Sequence, residues 1–416
     1  MNVRTARTLG KLITLSLITS TMLHATNGDN LIGMGAKSRG MGGTGIAMSH
    51  GAESALSNGA LITSVESSEI GFGGTLFMPD IETSIGGMPT HTSDADTNMI
   101  PEVSLAHKID ENWYIGVGMW GTAGMGTDYS NIAMAPNDAA NFNMVTNLQL
   151  MQFGVPIAYK TGGLSLAVTP ILQYGNLDIN YVMPNPDYTG DPADGPMTYS
   201  FGAGLAQDFG FGYNLGLAYD FSANGVEGLT LGAMYRSSIE MDYNPQLSTA
   251  MAGFNVPDFS DKLEQPQEYG IGLAYQMGQH TFAVDYKNIK WSDADGYGTY
   301  GWDDSNVYAI GYQYTQNEWT VRLGYNHADS AVVELDGTTQ MGALFNMLNL
   351  LGFPATQEDH YTVGGTYEFT NAFSLDLAYV YAPTNSETFD LTAIQMGSIT
   401  TDHSEDSISF QLAYKF

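Results

Sequence analysis

The chain of 416 residues reads as an all-β protein: a transmembrane antiparallel β-barrel of about 14 strands with an N-terminal plug in its lumen. Three observations predict this. The chain ends on a segment in which Phe410, Leu412, Tyr414 and Phe416 alternate with Ser409, Gln411, Ala413 and Lys415. A period of two, aromatic on one side and polar on the other, suits a strand between lipid and a wet lumen. A closing strand with a terminal aromatic looks like that of a bacterial outer-membrane barrel. At the other end, Arg4, Arg7 and Lys11 precede an apolar stretch, 12–23, that closes on Leu23-His24-Ala25. This is the make-up of a secretory leader, too short for a membrane helix. Finally, from Glu69 onward alternating segments are joined by short and long connections in strict turn. Short periplasmic turns and long external loops produce that asymmetry.

In chain order, residues 1–25 are the expected leader. Residues 26–67, rich in Gly, Ala, Ser and Met, lack a period of two and are assigned to a hatch. Ahead of the first strand, such a segment belongs in the lumen, which a wide barrel cannot fill with its own side chains. The barrel is assigned to 68–416, with strands near 69–79, 99–109, 113–124, 148–159, 164–180, 210–221, 229–243, 267–276, 280–291, 306–314, 319–327, 359–368, 373–381 and 406–416. Turn-like connections fall at 110–112, 161–163, 222–228, 277–279, 315–318 and 370–372, and long ones between the other strand pairs. No run approaches about 20 apolar residues, which excludes helical spans.

Composition narrows the function. The leader holds three of the thirteen Lys and Arg and none of the 44 Asp and Glu, so the mature chain stands at −34. Such a surface does not bind nucleic acid. Zero cysteines remove disulfide and thiolate chemistry. No cofactor is expected.

Several motifs have plain readings. Gly40-Met41-Gly42-Gly43-Thr44-Gly45 matches a dinucleotide fingerprint in form, but no apolar strand precedes it. Glycines that let a plug fold tightly against a wall explain it better. The histidines are scattered singly without zinc spacing. Asp359-His360 and Asp402-His403 resemble catalytic dyads, yet strand neighbours point to opposite faces, so no enzyme is expected. Strand parity points Arg236, Glu240 and Asp242, then Asp285 and Lys287, then Arg322 into the lumen. These form a ladder of ion pairs holding the plug, or one of Arg236, Lys287 and Arg322 receives a carboxylate head group. Two external loops are unusually apolar: Leu344, Phe345, Leu348 and Phe353 in one, Met251, Phe254 and Phe259 in the other. They bind a greasy ligand or pack on themselves, the first as a short helix on the barrel mouth.

The stretch 38–47 running into Ser57-Asn58-Gly59-Ala60-Leu61, with Gly212–Gly216, Tyr235-Arg236-Ser237 and Asp359–Gly364, resembles the FadL/TodX (OMPP1) family of outer-membrane transporters for long-chain fatty acids and hydrocarbons. Gly59 stands where that family usually has proline. The resemblance implies a 14-stranded barrel, ligand capture between external loops, release by a change at Asn58, Gly59 and Ala60, and sideways exit near the third strand. There Gly116, Gly118, Gly121 and Gly124 would weaken the wall. The expected function is passive uptake of hydrophobic compounds across the outer membrane of a Gram-negative bacterium. The alternatives are a polar-solute porin and an adhesive surface barrel. Expected partners are hydrophobic small molecules, membrane lipid and lipopolysaccharide, and the barrel-assembly machinery.

Overall fold

A computed structural model describes residues 27–132, 142–185, 187–256 and 258–416. The expected leader lies outside the described residues. Seventeen strand segments form the sheet; two are short pieces in loops and two are halves of one stave, leaving fourteen staves. They are β1 (Ser68–Ile85), β2 (Asn98–Lys108), β3 (Trp113–Met125), β4 (Val145–Gly154 and Ile157–Thr161), β5 (Leu164–Pro184), β6 (Ala206–Asp220), β7 (Leu229–Arg236), β8 (Glu268–Met277), β9 (His280–Ile289), β10 (Ser305–Gln316), β11 (Trp319–Ala328), β12 (Asp359–Thr370), β13 (Phe373–Asp390) and β14 (Ser398–Lys415). Each pairs antiparallel with the next, and β14 returns to β1 from Glu69↔Lys415 to Ile85↔Ile399, so the sheet is a closed barrel.

Closure pairs every stave with both neighbours, the only way strands cross hydrocarbon, although the upper part of β6 outruns β7 beyond Asn214↔Arg236. Outward positions carry the apolar half of each alternation: Phe282 and Val284, Val321 and Leu323, Phe410 and Leu412 are all exposed. Their lumenal neighbours are buried, including Asp285, Lys287, Arg322, Ser409 and Gln411.

Three strands run further than their apolar pattern. β1, β13 and β14 continue past the lipid belt with polar outward residues such as Asp80, Glu82 and Asp402. The ladder persists there because hydrogen bonding does not depend on greasy side chains.

β7 departs the other way, ending at Arg236 instead of running to Tyr243. The chain turns at Ser237-Ser238, inverting parity, so Ile239 and Met241 are buried while Glu240 and Asp242 are exposed. Glu240 and Asp242 therefore do not face the lumen; Glu240 instead pairs with Lys262 at 2.8 Å on the outside.

Residues 27–67 fill the ring as α1 (Ala36–Arg39) and two 3-10 turns, Gly51–Leu56 and Gly59–Ser64. At Gly232, Gly324 and Gly364 the wall facing this plug carries no side chain. An ideal Cβ on Gly232 would stand 2.0 Å from Ile46 O, on Gly324 2.0 Å from Gly42 N, and on Gly364 2.9 Å from Gly40 Cα. The Gly40–Gly45 run is thus a backbone-on-backbone seat, with no βαβ unit around it.

Candidate ligand path

The plug is tied to the wall by polar contacts. Asn58 is the centre of one set: its Nδ2 donates to Ile46 O at 2.7 Å and Leu217 O at 3.1 Å, while its Oδ1 caps Ala60 N at 3.1 Å. Asp285 accepts from Gly45 N at 2.7 Å and Ile46 N at 2.9 Å. Lys37 lies within 3.6 Å of Glu53, 3.8 Å of Glu69 and 3.7 Å of Asp376. Burial pushes the Glu53 carboxyl upward, against the pull of Lys37.

The three lumenal cations of interest sit in this lower region with acidic partners. Arg236 and Lys287 share Glu268, at 3.5 and 4.0 Å, and Arg322 meets Asp376 at 3.7 Å and bonds Gln313 and Thr366.

Above the plug the lumen is apolar. The long loops turn inward, and α2 (Gln246–Gly253) and α3 (Gln340–Gly352) descend into the mouth. Thr339 caps α3 by accepting from Gly342 N at 3.1 Å, and the helix is buried from Gly342 to Gly352. It lies inside the mouth, not upon it. Met251, Leu344, Phe345 and Leu348 are buried in one cluster, with Phe254, Phe259 and Phe353 packed against it. The two apolar loops therefore meet each other.

Sequence reading missed a third contributor. The loop after β9 adds Trp291, Tyr297, Tyr300 and Trp302, with Trp291–Tyr297 ring centres 4.8 Å apart and Tyr300–Phe345 5.2 Å apart. The aromatic density of 291–302 is the signal that marks it. Two small cavities lie within, about 20 Å³ beside Met125, Tyr300 and Phe353, and about 10 Å³ beside Met144, Tyr181 and Phe254. Each has room for a water at most. A larger guest must displace side chains, which the flexible Met125, Met144, Met241, Met251 and Met347 allow. The residues lining these two cavities include no Lys, Arg or His.

The wall beside the plug has a weak seam. Gly116 N donates to Pro156 O at 2.8 Å and Val155 N to Pro170 O at 3.3 Å. Proline has no N–H to return either bond, so two adjacent ladder pairs are half-made. Behind the seam, an ideal Cβ on Gly59 would stand 2.9 Å from Pro156 Cβ and from Thr169 Oγ1. Outside it, a lipid-facing concavity of about 600 Å³ is lined by Trp113, Ile157, Leu166, Val168, Leu215 and Tyr235. Of the β3 glycines, Gly116 and Gly118 face the plug, where Cβ atoms would press Pro156 and Leu56 at 2.8 Å. Gly121 adjoins a bulge before Ala123, and Gly124 N bonds Asp29 O at 3.1 Å.

His360 and His403 are buried near Glu405, at 3.6 and 3.2 Å, whereas Asp359 lies outside with Tyr325 and His327, so neither sequence dyad meets. Among the described residues no group of His, Asp and Glu is placed to hold a metal.

A closed fourteen-stranded barrel with a corked lumen and a greasy external mouth defines a class: an outer-membrane channel for apolar solutes. The chain belongs to the outer membrane protein transport protein family (OMPP1/FadL/TodX), whose model matches residues 30–416; this is a family of transport channels, not enzymes. It is 23% identical to the 47 kDa outer membrane protein of Pasteurella multocida over 80% of this chain and 81% of that one. It is also 23% identical to outer membrane protein P1 of Haemophilus influenzae, over 71% of this chain and 68% of that one. Among solved structures, the toluene transporter TodX of Pseudomonas putida has a TM-score of 0.67 at 19% identity, covering 93% of this chain and 99% of TodX. A FadL homologue of Pseudomonas aeruginosa has a TM-score of 0.69 at 14% identity, covering 94% and 100%.

Proposed function

We propose that this protein passes uncharged hydrocarbons across the outer membrane without an energy source. The observation that carries the reading is the aromatic and methionine-rich cluster at the external mouth, directly above the plug, with cavities lined by no cation. Ligand enters between the loops bearing Met251, Phe254, Phe259, Leu344, Phe345, Leu348 and Phe353. A carboxylate head group finds no counter-ion on those cavity linings; to reach Arg236, Lys287 or Arg322 it would have to displace Glu268 or Asp376. A toluene transporter among the similar folds supports the same class.

Release follows from movement of Asn58, Gly59 and Ala60. Gly59 backs on to Pro156, so its departure uncovers the half-bonded seam of β3, β4 and β5. Gly116 belongs to that seam, Gly118 and Gly124 let the plug lie close to the wall beside it, and Gly121 adjoins the bulge of the same stave. The concavity outside receives the ligand among lipid chains.

The test is uptake by cells expressing the protein, with labelled toluene in one arm and a labelled long-chain fatty acid in the other. Faster toluene entry is expected. Faster entry of the fatty acid alone would reject the uncharged class, and equal entry of small polar sugars would favour a porin.

A further inference from the structure

The wall between β6 and β7 is closed only in its lower part. Their ladder stops at Asn214 with Arg236, although β6 continues to Ala206. At the turn, Ser237 N donates to Tyr213 O at 3.0 Å and Tyr213 N to Ser237 Oγ at 2.9 Å. Main-chain groups on one side of a strand recur at every second residue. Those of Phe211 and Phe209 therefore face the same edge, where β6 has no strand beside it.

Residues 239–243 cross the lumenal face of β6 instead. An ideal Cβ on Gly210 would stand 2.4 Å from Ile239 Cγ2, and one on Gly175 would stand 2.1 Å from the Tyr243 hydroxyl. Ile239, Met241 and Tyr243 belong to the buried apolar cluster. On the other side of the same strand, Phe211 and Phe209 are 78% and 59% exposed. The Phe209 ring packs 5.2 Å from Tyr174, above which the β5 positions of the same parity turn polar at Asn176, buried against Gln149, and Asp178. The open edge thus lies at the outer aromatic girdle. An unpaired edge at that depth is costly, and barrels ordinarily abolish it.

We propose that residues 237–243 are a shutter in the wall, admitting apolar molecules already dissolved in the outer leaflet to the buried cluster without passage between the external loops. The inference rests on the hydrophobic-transport reading above and adds a second entrance to it. The shutter moves with 261–265, to which Ile239 and Gln265 bind it by reciprocal main-chain bonds. Its hold on β6 above the turn is one polar bond, Asp242 N to the Asp208 carboxylate at 2.8 Å, and the apolar packing of Ile239 and Met241 on Gly210 and Gly212, which a greasy guest can replace. The open position leaves Phe211 and Phe209 as one jamb and Tyr235 as the other. The exposed ion pair of Glu240 and Lys262 stays in water.

A disulfide staple tests this, since the chain has no cysteine of its own. An ideal Cβ on Gly212 lies 2.7 Å from Ser237 Oγ, so Gly212→Cys with Ser237→Cys suits a bridge; Ile239 Cγ1, 2.6 Å from that Cβ, must shift, and the reduced double variant is therefore the reference state. Asp208→Cys with Asp242→Cys, nearer the surface, is the second staple should the first perturb folding. The full-length protein in lipid vesicles is exposed to a diazirine-bearing alkane, either dissolved in the bilayer or supplied outside as a cyclodextrin complex. Labelled residues are then mapped by mass spectrometry. Bilayer-delivered label at Ile239, Met241 and Trp302 is expected to be lost on oxidation and regained on reduction, while cyclodextrin-delivered label at Phe259 and Phe345 is unchanged. The shutter is overturned if oxidation changes neither pattern, if both fall together, or if the β6 edge is found cross-linked to a second copy. Absence of label in the cluster from either source, staple reduced, would instead remove the transport reading, and the shutter with it.

Discussion

Asn58 illustrates how much one side chain settles. It is buried at 1% exposure, and its amide reaches Ile46 in the plug and Leu217 in the wall while capping its own 3-10 turn. Gly216 opposite is side-chain-free because a Cβ there would fall 2.1 Å from Asn58 Oδ1. Asn58→Ala leaves three carbonyls, of Ile46, Leu217 and Ala233, and the Ala60 N–H without this partner, a loss of about 2 kcal/mol from plug seating. The barrel, made of other bonds, should still assemble and keep its heat-modifiable gel mobility. Toluene uptake should fall; unchanged uptake would remove Asn58 from the release step. Asn58 was singled out in the sequence only through the resemblance of Ser57–Leu61 to the family's hatch segment. Lys37 was not, since its three carboxylate partners come from residues 53, 69 and 376, which only folding brings together.

Two elements carry their own predictions. The β4 seam is weak because Pro156 and Pro170 each withhold a ladder donor. Pro156→Ala restores one hydrogen bond, worth about 1 kcal/mol, and should stiffen the exit. Ligand binding measured on purified protein should then be unchanged while cellular uptake slows; faster uptake would place the exit elsewhere. The start of the plug behaves differently. Asp29 accepts from Tyr297 and from Gln265 Nε2, the latter at 3.3 Å, yet burial raises its carboxyl from 3.8 to about 6. A folded state that holds the proton more tightly is most stable below the unfolded value and loses stability as pH rises towards the folded one. Docking of residues 27–31 should therefore weaken between about pH 4 and 6, by at most about 3 kcal/mol, and not change above. Amide exchange at Leu31 and Gly124 reports it, and Asp29→Asn should flatten the profile. A profile equally steep in the variant would assign the effect to another group.

At the scale of the molecule, the plug replaces a core. Fourteen staves enclose more space than their side chains fill, and residues 27–67 with the inturned loops occupy it. Deleting residues 27–67 should leave a folded ring, since every stave pairs with its neighbours without the plug. The same deletion should turn a closed channel into one with stepwise ion conductance in planar bilayers. A deletion variant that remains non-conducting would mean that the loops alone seal the lumen.

Strand number, direction and facing could be read from the chain because a period of two records which side meets lipid, and lipid punishes errors at every position. Phe282, Val284 and Tyr286 against Asp285 and Lys287 is that record in one strand. The alternating lengths of turns and loops set the topology in the same local way. What only the tertiary structure decided is where alternation stops being informative. β13 and β14 extend beyond the greasy band on hydrogen bonds alone, and the chain beyond Arg236 leaves the wall where sequence alternation continues unbroken. The meeting of α3, α2 and the Trp291–Trp302 loop, and the half-bonded prolines of neighbouring staves, depend on contacts between distant segments. No local pattern encodes those, because each segment carries only its own half of the contact.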